Sequence, residues 1–213
     1  MNNHRGGDGV MEKEYRFAIV GTGAVARVHA EAIRHLEGGR LMACYSTNRE
    51  KGEAFSEDFG VDLHDDLSGL LDRKDVDIVS ICTPSGAHME TAVAAAERGK
   101  HVIVEKPLEI TEERCDRIIY AGKRNGVAVA TVFQNRYNPA ARCIKTAVDK
   151  GRLGIISAAI GRVLWYRDEA YYRLSKWKGT WALDGGGALM NQSIHVIDAI
   201  TDMIQVLSEM ADN

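Results

Sequence analysis

Long apolar runs, a surplus of charge of one sign and closely paired cysteines are all missing from this 213-residue chain. No stretch approaches the roughly 20 apolar residues that cross a bilayer, and the N-terminus has no hydrophobic signal core. The chain is therefore expected in the cytoplasm. Its 27 basic and 30 acidic residues are mixed along the length to a formal net charge of -3, which gives nucleic acid or an anionic membrane nothing to hold. Small molecules or proteins remain as partners. Cys44, Cys82, Cys115 and Cys143 lie far apart with no CxxC pair, so they read as small buried apolar residues in a reducing compartment. A disulfide frame or a metal site is not indicated.

What is present is ordinary for a globular protein of one or two domains: 45% apolar and 27% charged residues. The opening stretch, residues 1–14, is polar and glycine-rich, carries His4 and a second methionine at Met11, and reads as a mobile tail. From Tyr15 short β-type runs alternate with amphipathic helix-length segments. YRFAIV precedes a helix from about Ala24 to Leu36, LMACY precedes one from about Glu50 to Phe59, and a weak strand near Val61 precedes a short helix near Leu67. VDIVSIC, Val76 to Cys82, leads to a helix ending near Arg98, HVIVE, His101 to Glu105, to one from Thr111 to about Asn125, and VAVATVF closes the series. Regular alternation of this kind predicts parallel strands with right-handed crossovers, an α/β doubly wound sheet over residues 15–135. Gly60, Gly99 and Gly126 each follow a helical stretch where a left-handed cap is expected.

After Phe133 the rhythm changes. A helix from about Pro139 to Lys150 leads into an expected long strand, Ile155 to about Arg167, and then into the aromatic, basic loop YYRLSKWKGTW. The glycine-rich LDGGGALMNQSIHVID opens a helix with Ile194, Ile197, Ile200, Ile204 and Leu207 on one face. Residues 136–213 thus read as a partial second domain with one strand and two helices, and one strand cannot make a sheet.

Chemistry concentrates at the predicted strand ends. Gly21-Thr22-Gly23-Ala24-Val25-Ala26 follows a strand and opens a helix, the setting of a dinucleotide fingerprint. Gly21 permits the turn, Gly23 lets backbone approach a pyrophosphate, Ala26 allows close helix packing, and the first free N–H groups of the helix hold the phosphates. A methyltransferase shares such a turn but predicts an acid after the second strand. Here that position reads Ser46-Thr47-Asn48-Arg49. With no acid and with Arg49 able to meet a phosphate, the lean is to NADP over NAD, although Ser46 and Asn48 also suit a bare ribose. Thr83 and Pro84 with His88, Glu105-Lys106-Pro107, and Gln134-Asn135-Arg136 lie at further strand ends, where open sheets bind ligands. A desolvated Lys106 would have a lowered pKa and would polarise a substrate oxygen; taken alone it is better read as a solvated strand-end lysine. Asn191 and His195 share a helical face, with Asp198 placed to orient the imidazole. His88 either lines the crevice or caps its helix, His29 has a packing or backbone role, and Trp177 and Trp181 either close over a nicotinamide or pack the second domain.

The whole set in this order, Gly-Thr-Gly-Ala-Val-Ala, Cys-Thr-Pro with His88, Glu-Lys-Pro, then Gly-Gly-Gly leading to Asn191 and His195, closely resembles the Gfo/Idh/MocA oxidoreductases over about Tyr15 to Asp202. The resemblance implies an N-terminal Rossmann domain with NAD or NADP and a second, open-sheet α/β domain, here incomplete, that lines the active site and often mediates homo-oligomerisation. It implies that Lys106 contacts nicotinamide and substrate, that a cis bond precedes Pro107, and that His195 is the acid/base. Asn191 stands where many members carry aspartate, and an amide can orient substrate but cannot take a proton. The implied reaction is hydride transfer between nicotinamide and a secondary alcohol of a sugar, cyclitol or nucleotide-sugar. The alternative is a catalytically weak or inactive NAD(P)-binding sensor. Members are markedly longer, so the isolated chain is expected to bind cofactor, turn over poorly and self-associate.

Overall fold

Alternation along buried strands decides which helices cover which face of the sheet. In β1 (Tyr15–Val20) Phe17 and Ile19 join one cluster with Ala26, Ala30 and Ile33 of α1 (Ala24–His35) and Phe55 of α2 (Arg49–Phe59). Ala18 and Val20 face the other way, into a cluster with Leu70 and Leu71 of α3 (Leu67–Leu71), Met89, Ala92 and Ala95 of α4 (His88–Glu97) and Ile118 of α5 (Glu112–Asn125). A computed structural model describes residues 14–211, with side chains through Met203. The tail expected over residues 1–14 lies outside them apart from Glu14, as do the side chains of Ile204 and Leu207.

The remaining strands are β2 (Gly39–Tyr45), β3 (Asp62–His64), β4 (Ile78–Ile81), β5 (His101–Val104) and β6 (Val129–Thr131). All pair in parallel, in the order β3-β2-β1-β4-β5-β6. This is the doubly wound Rossmann sheet, with its topological switch between β1 and β4, where a crevice opens at the strand ends. Local chemistry agrees with it. Asn48 caps α2 by accepting from the Lys51 N–H, Thr111 caps α5, and Gly60, Gly99 and Gly126 take positive φ of 66°, 72° and 67° after α2, α4 and α5.

Beyond the sheet, Asn138 caps α6 (Pro139–Asp149) and Asp168 caps the short α7 (Glu169–Arg173). A π-helical turn, Ala188–Ser193, runs into α8 (Ile194–Ala211). The expected strand over residues 155–167 is not one: the segment has no ladder partner among the described residues, with Ile155 99% and Leu164 88% exposed. β propensity alone does not make a strand without a neighbour to bond. The segment rests on α8 at Gly161, where a Cβ would fall 2.5 Å from Val196 and Ile200 side chains. No helix of the described residues is long and apolar enough to cross a membrane.

Candidate active site

The glycine turn forms one wall of a crevice of about 730 Å³ at the switch point. Gly21 has φ +89°, and a Cβ there would sit 2.8 Å from the Cys82 carbonyl group and 2.9 Å from the Thr83 nitrogen, so the turn passes directly over the end of β4. At Gly23 a Cβ would meet nothing within 4 Å. The protein itself leaves that space open. α1 begins there with no side-chain cap and no acid in its first turn, which leaves free N–H donors and the positive end of the helix dipole for an anion. Two polar atoms in the lining, Thr22 Oγ1 and Ser175 Oγ, are buried without a hydrogen-bond partner. Free amides, open backbone and orphaned hydroxyls suit the pyrophosphate of a dinucleotide.

Of the sequence-derived candidates, Gly21, Thr22, Gly23, Ala24, Val25, Ser46, Asn48, Thr83, Pro84, Glu105, Lys106 and Trp177 line this crevice, and Asn191 joins them from the second part of the chain. Lys106 is the meeting point. Its Nζ donates to the Asn191 carbonyl at 2.8 Å and to Asn191 Oδ1 at 3.3 Å. Burial lowers its pKa, while Glu105, Tyr171 and Asp184 act to raise it. The Lys106-Pro107 bond is cis. His195 is buried, its Nδ1 has no partner among the described residues, and burial followed by the Lys106 charge lowers its pKa. It is therefore neutral near pH 7 and able to accept a proton.

Several candidates sit elsewhere. Arg49, on which the lean to NADP rested, is bound to Glu53 at 2.7 Å and Asp65 at 3.1 Å, outside the lining. His88 is fully buried behind the crevice, with Nδ1 3.0 Å from the Pro107 carbonyl oxygen and Nε2 3.0 Å from that of Thr83, so it fastens the Glu-Lys-Pro turn to the end of β4. Asp198 does not orient His195: both its oxygens accept from Arg136, at 2.6 and 2.8 Å. A fixed bidentate guanidinium outcompetes a neutral imidazole for a carboxylate. Arg136 faces a separate recess beside α6 and α8, and neither it nor Asn135 reaches the crevice. Trp181 is 83% exposed and covers nothing.

Two groupings beside the crevice were not expected from the sequence. His29, expected to pack or to bond backbone, bonds Glu105 through Nε2 at 2.9 Å and Ser80 Oγ through Nδ1 at 2.7 Å. Glu105 in turn accepts from the Lys106 N–H at 3.1 Å. Burial opposes charge on His29, but the neighbouring Cys82 and the hydrogen-bonded Glu105 outweigh it and raise the pKa from 6.5 to about 10. The available signal was Ser80, a hydroxyl in an otherwise apolar strand, facing α1 by the two-residue alternation. The second grouping is the loop over residues 174–187. Gly86 N–H donates to the Leu183 carbonyl at 3.0 Å, and a Cβ on Gly86 would lie 2.2 Å from the Ala182 oxygen. That contact seats the loop, with Trp177 and Asp184, on the sheet domain.

The sheet domain and the part of the chain that follows it have counterparts in known proteins. The family model described as "Oxidoreductase family, NAD-binding Rossmann fold" matches residues 15–133, and a GFO/IDH/MocA C-terminal domain matches residues 141–210. The chain belongs to the Gfo/Idh/MocA oxidoreductase family. It is 30% identical over 190 residues to 1,5-anhydro-D-fructose reductase of Ensifer adhaerens, covering 87% of this chain and 55% of the relative. It is 34% identical over 143 residues to inositol 2-dehydrogenase/D-chiro-inositol 3-dehydrogenase of Halalkalibacterium halodurans, covering 65% and 41%. The WlbA dehydrogenase of Bordetella pertussis, solved with NADH and UDP-GlcNAcA, superposes with a TM-score of 0.87 at 34% identity, covering 91% of this chain and 56% of that one. The chain spans about half the length of these relatives.

Proposed function

We propose that this chain supports NAD-dependent hydride transfer to and from a secondary alcohol of a sugar-type substrate, a nucleotide-sugar being the favoured class. The observation that carries the reading is the Lys106 ammonium in the lining of the dinucleotide crevice, with a neutral, buried His195 nearby. The glycine turn and the start of α1 would hold the pyrophosphate, and Ser46 and Asn48 the adenosine ribose. The nicotinamide, when bound, supplies the carbon that accepts or returns the hydride. Lys106 donates to the substrate oxygen and stabilises the charge that grows on it as the hydride leaves. His195 takes the hydroxyl proton in one direction and gives it back in the other. Asn191 fixes the lysine and leaves its own amide beside the substrate oxygen.

NAD is favoured over NADP because Arg49 is committed to two carboxylates, and Asp65 beside it repels a phosphate. A nucleotide-sugar is favoured by the close superposition on the WlbA dehydrogenase noted above. Free thiols at Cys44, Cys82, Cys115 and Cys143 accord with a reducing compartment such as the cytoplasm. The test is a titration with NADH and NADPH, followed by turnover with NAD and a panel of UDP-sugars, hexoses and inositols. NADH should bind more tightly than NADPH by about tenfold. Lys106→Ala should retain NADH binding and lose turnover by about 100-fold or more, the scale of one positioned electrostatic donor. Parental turnover in Lys106→Ala would remove the lysine from the mechanism.

A further inference from the structure

A half-buried ammonium needs negative charge near it, yet both acceptors that Lys106 touches, the Asn191 carbonyl and its side-chain amide oxygen, are neutral. The carboxylate stands one residue behind. Asp184 is 1% exposed, and its Oδ1 accepts from Asn191 Nδ2 at 2.7 Å while Oδ2 accepts from the Gly179 N–H at 2.7 Å. This arrangement also dictates which way the Asn191 amide points. An ammonium only donates and a carboxylate only accepts, so the amide has a single orientation, oxygen to Lys106 and nitrogen to Asp184.

We propose that Asp184 is a positioning residue for Lys106, which holds the Asn191 amide oxygen against the ammonium and supplies through that amide the negative charge its direct acceptors lack. The chain Asp184 to Asn191 to Lys106 joins the loop over residues 174–187 to the end of β5. The backbone keeps Asp184 in place: its N–H donates to the Thr180 carbonyl at 2.9 Å, and the following Gly185 packs on Ile110, where a Cβ would lie 2.7 Å from a side-chain methyl. The titratable groups acting on Lys106 are Glu105, Tyr171 and Asp184, each favouring its charged form, and His195, on which the lysine acts in turn. Glu105 is already matched by His29. Asp184, by contrast, has no cationic hydrogen-bond or ion-pair partner among the described residues, where its carboxylate meets two neutral N–H donors. Its charge is left to act on Lys106, polarising the amide between them. Seating of the loop and charge on the lysine are thereby one event.

The role assigned to Asp184 rests on Lys106 being the group that meets substrate, but its test needs no turnover. The whole chain would be labelled with 13C-lysine and the Lys106 Cε resonance, assigned through Lys106→Arg, followed against pH. In Asp184→Asn the Lys106 pKa should fall by about one unit, the scale on which a neighbouring opposite charge acts. The swapped chain Asp184→Asn/Asn191→Asp keeps the hydrogen bonds and moves the charge forward, so it should restore the parental pKa or exceed it. Identical Lys106 titrations in the parent and Asp184→Asn would overturn the proposal. So would a swapped chain that titrates like the single variant. Should Asp184→Asn not fold, the unaltered chain still decides: the Asn191 side-chain amide protons should resist solvent exchange at neutral pH and shift when a carboxyl titrates in acid. Freely exchanging amide protons with no such shift count against it. A chain that passes these tests without oxidising any sugar would keep Asp184 and lose the proposed function.

Discussion

Gly21→Ala is expected to abolish NADH binding and to lower stability by about 2–4 kcal/mol, combining the cost of a side chain at positive φ with that of overpacking. The added methyl would fall within 2.8–2.9 Å of the Cys82 carbonyl group and the Thr83 nitrogen, which are main-chain atoms at the end of a central strand and cannot move aside as a side chain would. The turn must lift instead, and the N–H groups at the start of α1 lift with it. Gly23→Ala provides the contrast. Its methyl meets no protein atom, so folding should be little changed while binding weakens, because the methyl occupies the space a pyrophosphate needs. Thermal unfolding and NADH fluorescence on the two variants separate a steric fault in the fold from a steric fault in the site. Equal losses of stability in both would contradict the assignment.

His29→Leu is expected to cost about 3–5 kcal/mol, because it leaves the Glu105 carboxylate buried and unpaired. The two side chains are 12% and 13% exposed, so solvent does little to compensate. The pH dependence gives the sign of the effect. His29 has a raised pKa, so its contribution is full below 6.5 and is lost as pH climbs through about 10. Glu105 has a lowered pKa despite its burial, owing to the bond from His29, so its contribution is present above the usual carboxylate range and is lost as pH falls below that range through the lowered pKa. The parent should therefore hold a plateau between those limits as far as this pair is concerned. Without the imidazolium, burial drives the Glu105 pKa up, and the variant should lose stability as pH rises from about 5 to about 6, where the parent is flat. Chemical denaturation at several pH values would show this, and His29→Leu/Glu105→Gln should recover most of the loss. A deficit constant with pH and unrelieved in the double variant would mean that His29 only fills space.

These two residues show how differently the parts of the site were legible. Gly21 announces itself, because a turn that needs positive φ between a buried strand and a helix admits little but glycine, and its neighbours state the spacing. The same holds for Gly60 and Gly126 at helix ends, for the apolar runs of β1, β4 and β5, and for Glu105-Lys106-Pro107 at a strand end. Each depends on residues within a few positions of one another. His29 and Asp184 carry no such local mark. His29 reaches Glu105 across 76 positions and Asp184 reaches the lysine through Asn191, 85 positions beyond Lys106. Arg49 and Asp198 mark the same limit from the other side. Spacing allowed each a role in the site, and carboxylates brought near by the fold took Arg49 while Arg136 took Asp198.

By itself the sequence determined the order of strands and helices in the sheet domain, the position of the dinucleotide turn and the placing of a lysine at a strand end beside it, since periodicity and backbone stereochemistry act over short distances. Only the tertiary structure decided who pairs with whom: that His29 compensates Glu105, that Asp184 stands behind Asn191, that Arg49 is spent on Glu53 and Asp65, and that residues 155–167 join no strand among the described residues. Those outcomes depend on which charges and which backbone edges the fold brings within a few ångströms, and on which partner wins when several compete for it.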